Sequence, residues 1–278
     1  MSPNSSSSSS PGALRIGLIG FGPFAQFLSK TMIKQGHSLR VTSRSDYSQH
    51  CAHVGIPFIR DMNEFIQMDN DVVLLCTSIL SLPQVVKSIP IQCLNRQTLF
   101  ADVLSVKEYP RDVLLQALPD WTDLLCTHPM FGPESGRNGW SGLTFMYDKV
   151  RIKNEDVCSS FLNIFATEGC KMLEMSCDEH DKLAARSQFL THSIGRILDE
   201  MEIESTPIDT KGFQKLIEVK DSTAKDSFDL FSGLFVHNRF AWEELTSLEM
   251  AFKKVKQKLL EKANEELDHS TPKSRSSI

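Results

Sequence analysis

Residues at three places in this 278-residue chain have types and spacings suited to chemistry. Gly20, Gly22 and Ala25 form a G-x-G-x-x-A pattern after the apolar run LRIGLI and at the mouth of an amphipathic segment. In that setting the first glycine permits a tight turn, and the second lets a pyrophosphate approach the backbone. Ala25 holds the following helix close to the strand, and the helix N-terminus offers free N–H donors to phosphates. The pattern predicts a dinucleotide site that includes Phe21, Pro23, Phe24 and, at the end of DVVLLCT, Thr77. A glycine turn without nucleotide is the plainer alternative. The run LRVTS bears on which dinucleotide is bound. It continues as Ser43, Arg44, Ser45 where an NAD site carries an acid, and Asp46 arrives only afterwards. Hydroxyls flanking an arginine suit a 2′-phosphate, so NADP is the expected cofactor, unless Arg44 is only a solvated loop charge.

The second place is CTHPMFGPESGRNGW, residues 126 to 140, where an apolar run enters a Gly/Pro-rich loop. Ligands of open α/β sheets bind outside the carboxyl ends of the strands, which is where His128 falls. Histidine moves protons near neutral pH. Ser105, in DVLSVKEYP, follows another strand end and could hydrogen-bond the imidazole. Taken alone, His128 fits a structural histidine as well as a catalyst, and Ser105 with Glu108 fits a helix capping box. Third, Gln188 and His192 stand four apart in SQFLTH, hence on one helical face, and taken alone they read as a polar stripe on a solvated or interface face.

The elements that must hold these residues are legible as patterns. LRIGLIG, LRVTS, DVVLLCT, TLFADV and LLCTHP read as strands. Between them FAQFLSKTMIKQG, SLPQVVKSI and KEYPRDVLLQAL follow helical spacing, the first closed by Gly36. Apolar strands alternating with helices predict an α/β, Rossmann-type domain with a mostly parallel sheet over residues 14–176. From Cys177 the pattern turns helical, which predicts an all-helical substrate and dimerisation domain over 177–268, its long last stretch broken or bent. The Ser-rich start, 1–13, and the polar tail, 269–278, are expected to be disordered.

Composition narrows the function classes. A formal charge of −5, from 30 basic and 35 acidic residues, argues against a nucleic-acid binder. No apolar run approaches the roughly 18 residues that a membrane span needs. The seven cysteines show no metal-ligand or CxxC spacing, so no metal is expected and all read as reduced thiols.

GFGPFAQFLSKTMIKQGH, TSRSDYS, DVLSVKEYP, CTHPMFGPESG, MYDKVRI, FATEGCKM, MSCDEHDKLAARSQFLTHSIGR and DSFDLFSGLF occur in this order. Together they resemble the plant arogenate/prephenate dehydrogenases of tyrosine biosynthesis, from about Leu14 to Leu260. The resemblance implies a nicotinamide-binding domain, a helical domain that builds a homodimer, and NADP-linked oxidative decarboxylation of a 4-hydroxycyclohexadiene. It implies His128 as the base on the ring hydroxyl, Ser105 as its hydrogen-bonding partner, and Gln188 and His192 in the substrate pocket. It also singles out Asp226, where an acid goes with arogenate, which carries an ammonium, and asparagine goes with prephenate, which carries a keto group. A buried carboxylate favours the cation and is penalised opposite a neutral carbonyl. The alternative is that Asp226 is a first-turn helix acid. Arg186, Lys220, Lys225 and Arg239 are candidates for the cation that binds the substrate carboxylates.

The expected substrate is arogenate, with prephenate as the near rival. A β-hydroxyacid-type oxidoreductase is disfavoured by Asp199 where that class needs lysine, and an inactive NADP sensor or scaffold is the rival of another class. A cytoplasmic location follows for a complete chain, and a plastid one for a chain shortened at its N-terminus.

Overall fold

The computed structural model describes residues 12–270, with side chains through 267. Most of the expected disordered ends, 1–11 and 271–278, lie outside the described residues. The described residues form two compact units. The chain up to Ala184 makes the first together with Asp226–Asn238, and Ala185–Lys225 with the chain from Arg239 makes the second.

The first unit is built on one seven-stranded sheet of order β2-β1-β3-β4-β5-β6-β7. Its strands are β1 (Arg15–Ile19), β2 (Ser38–Thr42), β3 (Val72–Leu75), β4 (Leu99–Asp102), β5 (Asp123–Pro129), β6 (Thr144–Arg151) and β7 (Lys171–Glu174). All neighbouring pairs are parallel except β5 with β6. Every residue of β3, β4 and β5 is buried, as in a sheet covered on both faces. The five strands read from the sequence are present. β6 and β7 are additional, and their half-buried residues do not form a continuous apolar run.

Helices α1 (Pro23–Lys34), α2 (Ser48–Val54), α3 (Met62–Gln67), α4 (Leu82–Ser88), α5 (Glu108–Ala117), α6 (Glu155–Thr167) and α7 (Cys177–Ala184) accompany the strands. Pro23 starts α1, where its missing N–H costs nothing. Gly36 ends it at φ +87°, with its N–H on the Ile33 carbonyl and the His37 N–H on that of Met32. This is the left-handed closure that the Gly36 signal predicts. Behind β5 an aromatic stack fixes the loop that leaves the strand. Trp140 packs on Phe27, Phe131 and Phe165 at centroid distances of 5.6, 5.4 and 5.5 Å. Such ring pairs add about 0.5–1.5 kcal/mol each beyond burial.

The second unit holds α8 (Leu190–Glu200) and α9 (Lys211–Ala224) and, after the returning segment α10 (Phe228–Val236), the long α11 (Ala241–Ser270). A Cβ built on Gly195 of α8 would lie 1.9 Å from Thr223 Oγ1 of α9, so glycine is what permits this helix approach. The last helical stretch is broken, as expected, over His237–Phe240. The break returns α10 to the first unit. Gly233 abuts Ile79, the His237 ring stacks on Tyr109 at 3.7 Å, and Asn238 Nδ2 donates to the Asp181 carbonyl at 2.8 Å.

Candidate active site

The glycine turn follows β1. Gly20 sits at φ +93° with its N–H on the Thr42 carbonyl at 2.8 Å, and a Cβ there would meet the Cys76 carbonyl oxygen at 2.5 Å. Gly22 is the N-cap of α1, has no side-chain cap, and would extend a Cβ into open space. That open face, beside the first N–H groups of a helix, fits a pyrophosphate. Phe21 is buried against the edges of Tyr47 and His50, and the Gln26 amide ties its carbonyl at 2.8 Å. Across the turn, the buried Thr77 Oγ1 has no hydrogen-bond partner. β1 lies between β2 and β3, so the turn occupies the point where strand order reverses, the usual ligand position in such sheets.

Beyond β2, Ser43 is half-buried and Arg44 and Ser45 are exposed. Asp46, the nearby acid, accepts the Ser48 N–H at 2.9 Å, and that bond lowers its pKa. The structure therefore brings Gly20, Phe21, Gly22, Pro23, Phe24 and Thr77 around one turn, with Ser43–Ser45 at the neighbouring strand end. These residues fit a dinucleotide.

His128 lies on β5, buried, near the strand's carboxyl end and at the same sheet edge as the turn. Its Nδ1 is 2.8 Å from Nε2 of His180, on α7. His180 Nδ1 is in turn 2.8 Å from Asp181 Oδ1. The Asp181 carboxylate also accepts the Lys107 N–H at 2.7 Å and the Glu108 N–H at 2.9 Å, and so caps α5 from another element. Lys107 is itself buried. Its ammonium bonds Asp102 and donates to the Thr127 carbonyl at 2.6 Å. Burial, then the neighbouring His180, then Lys107 hold the His128 pKa well below the ordinary histidine value. Burial pushes the Asp102 carboxyl up, opposed by Lys107.

Ser105 is half-buried between β4 and α5, and no hydrogen bond joins it to His128. The capping box of Ser105 with Glu108 is not formed. Helix α5 begins one residue after its N-cap Lys107, and the Asp181 carboxylate satisfies the amides that Ser105 would have served. His180 and Asp181 were missed by sequence reasoning. They stand in the quoted run MSCDEHDKLAARSQ, but their partners lie 52 and about 74 residues away.

Gln188 and His192 belong to the second unit. The run read as one helix from Glu179 opens into a π-helical turn at Ala185–Phe189. Gln188 stands within that turn and His192 in the first turn of α8 after it. Asp226 is half-buried, in the first unit, and precedes Ser227, the N-cap of α10, so it stands just outside that helix's first turn. Among the candidate cations, Arg186 pairs with Glu244 at 3.2 Å, Lys220 donates to the Ile203 carbonyl, and Arg239 lies over the Phe240 ring. All seven cysteines are free thiols, and among the described residues no cluster of ligating side chains could hold a metal. No described helix is long and apolar enough to cross a membrane.

Two family models match the chain. "Prephenate dehydrogenase, nucleotide-binding domain" matches residues 28–149, and "TYRAAT1-like, C-terminal domain" matches residues 197–271. Among solved structures, a prephenate dehydrogenase from A. aeolicus, in complex with hydroxyphenyl propionate and NAD+, superposes with a TM-score of 0.71. That comparison covers 94% of this chain and 96% of the other at 16% identity, a likeness of fold. Two Arabidopsis thaliana proteins are much nearer in sequence. Arogenate dehydrogenase 1, chloroplastic, is 52% identical over 95% of this chain and 42% of its own length. Arogenate dehydrogenase 2, chloroplastic, is 53% identical over 89% of this chain and 70% of its own length. The chain thus spans less than half of one relative and over two thirds of the other. With that identity over most of the chain, the chain belongs to the plant-type arogenate dehydrogenase family.

Proposed function

We propose that this protein catalyses the NADP-linked oxidative decarboxylation of arogenate to tyrosine. The observation that carries the reading is His128, a buried imidazole held at the sheet edge that bears the glycine turn. His128 takes the proton from the ring 4-hydroxyl as hydride leaves the same carbon. Bound NADP supplies the hydride acceptor. Loss of the ring carboxylate as CO2 then makes the ring aromatic, and the proton on His128 returns to the phenolate oxygen. Aromatisation drives the step, so the residues chiefly orient the reactants and hold one proton.

Support for NADP over NAD comes from the end of β2. Arg44 is exposed between two serines, and Asp46 is engaged by the Ser48 N–H. A carboxylate committed to that N–H is less free to accept the ribose hydroxyls that an NAD site offers its acid. For substrate choice, Asp226 supplies a half-buried carboxylate suited to the ammonium of arogenate. Ser105, Gln188 and His192 complete the proposed set of site residues.

Side-by-side kinetics with arogenate and prephenate, each with NADP and NAD, test the reading in wild type and Asp226→Asn. Wild type is expected to prefer arogenate and NADP. The variant is expected to lose arogenate turnover and gain prephenate turnover. An unchanged substrate ratio removes Asp226 from the proposal, and binding of NADPH without turnover on either substrate favours a sensor.

We also propose that the protein is a homodimer through its C-terminal helices. Trp242, Phe252 and Leu259 on α11 are 69%, 68% and 67% exposed in the single chain, and packing against a second copy would remove that apolar surface from water. Sedimentation at micromolar concentration is expected to give a dimer. A monomer that persists there rejects this assignment.

A further inference from the structure

We infer that His180 and Asp181 act as positioning residues that fix the tautomer of His128, leaving its Nε2 as the unprotonated, reactive nitrogen. The inference deepens the role of His128 proposed above and rests on that reading for its catalytic consequence. The argument is one of donor and acceptor counting. The Asp181 carboxylate can only accept, and it already receives the Lys107 and Glu108 N–H groups at 2.7 and 2.9 Å. The 2.8 Å contact with His180 Nδ1 therefore requires a proton on that nitrogen. Neutral His180 then presents a lone pair at Nε2, and the 2.8 Å contact with His128 Nδ1 requires that His128 donate. A neutral imidazole with its proton on Nδ1 has its lone pair on Nε2.

The reverse assignment fails on the same count. If neutral His180 carried its proton on Nε2, its Nδ1 lone pair would face a carboxylate oxygen 2.8 Å away. With His180 neutral, the chain of bonds therefore runs in one direction only, whereas an imidazolium at His180 would donate to both neighbours. The other charged groups facing the pair are Lys107 and, bonded to it, Asp102; both are buried and neither hydrogen-bonds an imidazole. When His128 takes up a proton, its Nδ1–H continues to donate to His180, which is held in turn by Asp181, so the new charge is met by an existing acceptor. The backbone amides of Lys107 and Glu108 anchor the far end, so the chain of bonds is tied to the start of α5 as well as to β5.

The test uses the full chain with His180→Leu, which removes the acceptor, and His180→Gln, whose amide oxygen can accept from His128 and whose NH2 can donate to Asp181. Long-range 1H–15N NMR of histidine-labelled protein reads the His128 tautomer directly. Wild type is expected to show the proton on Nδ1, His180→Leu a mixture of both tautomers, and His180→Gln the wild-type form. In kinetics, His180→Leu is expected to lose about 100-fold in kcat with KM changed far less, and His180→Gln to recover at least about tenfold of that loss. A His180→Leu protein whose His128 keeps the proton on Nδ1 overturns the inference, as does one that keeps wild-type kcat. The NMR signal needs no turnover. If wild type converts neither substrate, the proposed function fails, and the tautomer still decides this inference. Should His180→Leu not fold, His180→Gln carries the test: loss of the Nδ1–H form there, despite the retained acceptor, also overturns it.

Discussion

Replacing His128 with asparagine is expected to lower kcat by about three orders of magnitude, within the range for removing a positioned general base. Asparagine retains a polar side chain of similar reach and can still donate to His180, so the strand and the nucleotide turn are left in place. Nucleotide affinity, read by fluorescence titration with NADPH, is expected to stay near the wild-type value. A variant that keeps most of its kcat would show that another group takes the proton. The same histidine sets a pH limit. Its pKa lies well below the ordinary value, first because of burial, then because of His180 and Lys107. The base form therefore persists below about pH 6.5, and the acid limb of the wild-type kcat profile is expected below that point. Stability follows with a definite sign. As pH falls through about 6.5 the unfolded chain binds a proton at His128 while the folded chain does not, so stability present above that pH is lost toward the folded pKa. Denaturant melts at pH 7.5 and 5.5 are expected to show a smaller loss in His128→Asn than in wild type.

The elements that were legible in the sequence are those specified by neighbours along the chain. The run LRIGLI followed by Gly20, Gly22 and Ala25 carries its own strand, turn and helix signals, and the structure realises all three. The strands β3, β4 and β5, buried on both faces, write themselves as unbroken apolar runs. β6 is different. TFMYDKVR pairs antiparallel with β5, and most of its residues are only half-buried, so neither continuous apolarity nor clean alternation marks it. The partner of His128 was illegible for another reason. His180 stands 52 residues away on a different element, and nothing local distinguishes it from a polar residue in a helix's first turn. Ser105 looked like the natural cap of α5 because its spacing to Glu108 is right. The carboxylate of Asp181, delivered from α7, takes those amides instead. Long-range hydrogen bonds override local capping when a buried acceptor arrives with better geometry. The return of Asp226–Asn238 to the sheet-bearing unit was likewise set by distant contacts, with Ile79, Tyr109 and Asp181.

The two glycines of the turn have separable roles, and paired alanine substitutions are expected to show it. At Gly20 the backbone is at φ +93°, and an added Cβ would stand 2.5 Å from the Cys76 carbonyl oxygen and 3.0 Å from its carbon. These are backbone atoms at the end of β3, so no side-chain rotation relieves the contact. Left-handed strain and overpacking together put the loss of stability for Gly20→Ala on the order of 3 kcal/mol. At Gly22 the backbone is ordinary, with φ −67°, and the added Cβ would meet nothing within 4 Å. Gly22→Ala is therefore expected to melt with wild type yet to bind NADPH at least about tenfold more weakly, because the methyl group fills the face through which a pyrophosphate must approach the backbone. Thermal melts and NADPH titrations of the two proteins separate the cases. If Gly22→Ala bound nucleotide normally, the open face beside α1 would not be where the pyrophosphate lies. If Gly20→Ala melted with wild type, the Cys76 carbonyl could move aside, and the requirement for glycine there would come from the ligand and not from the sheet.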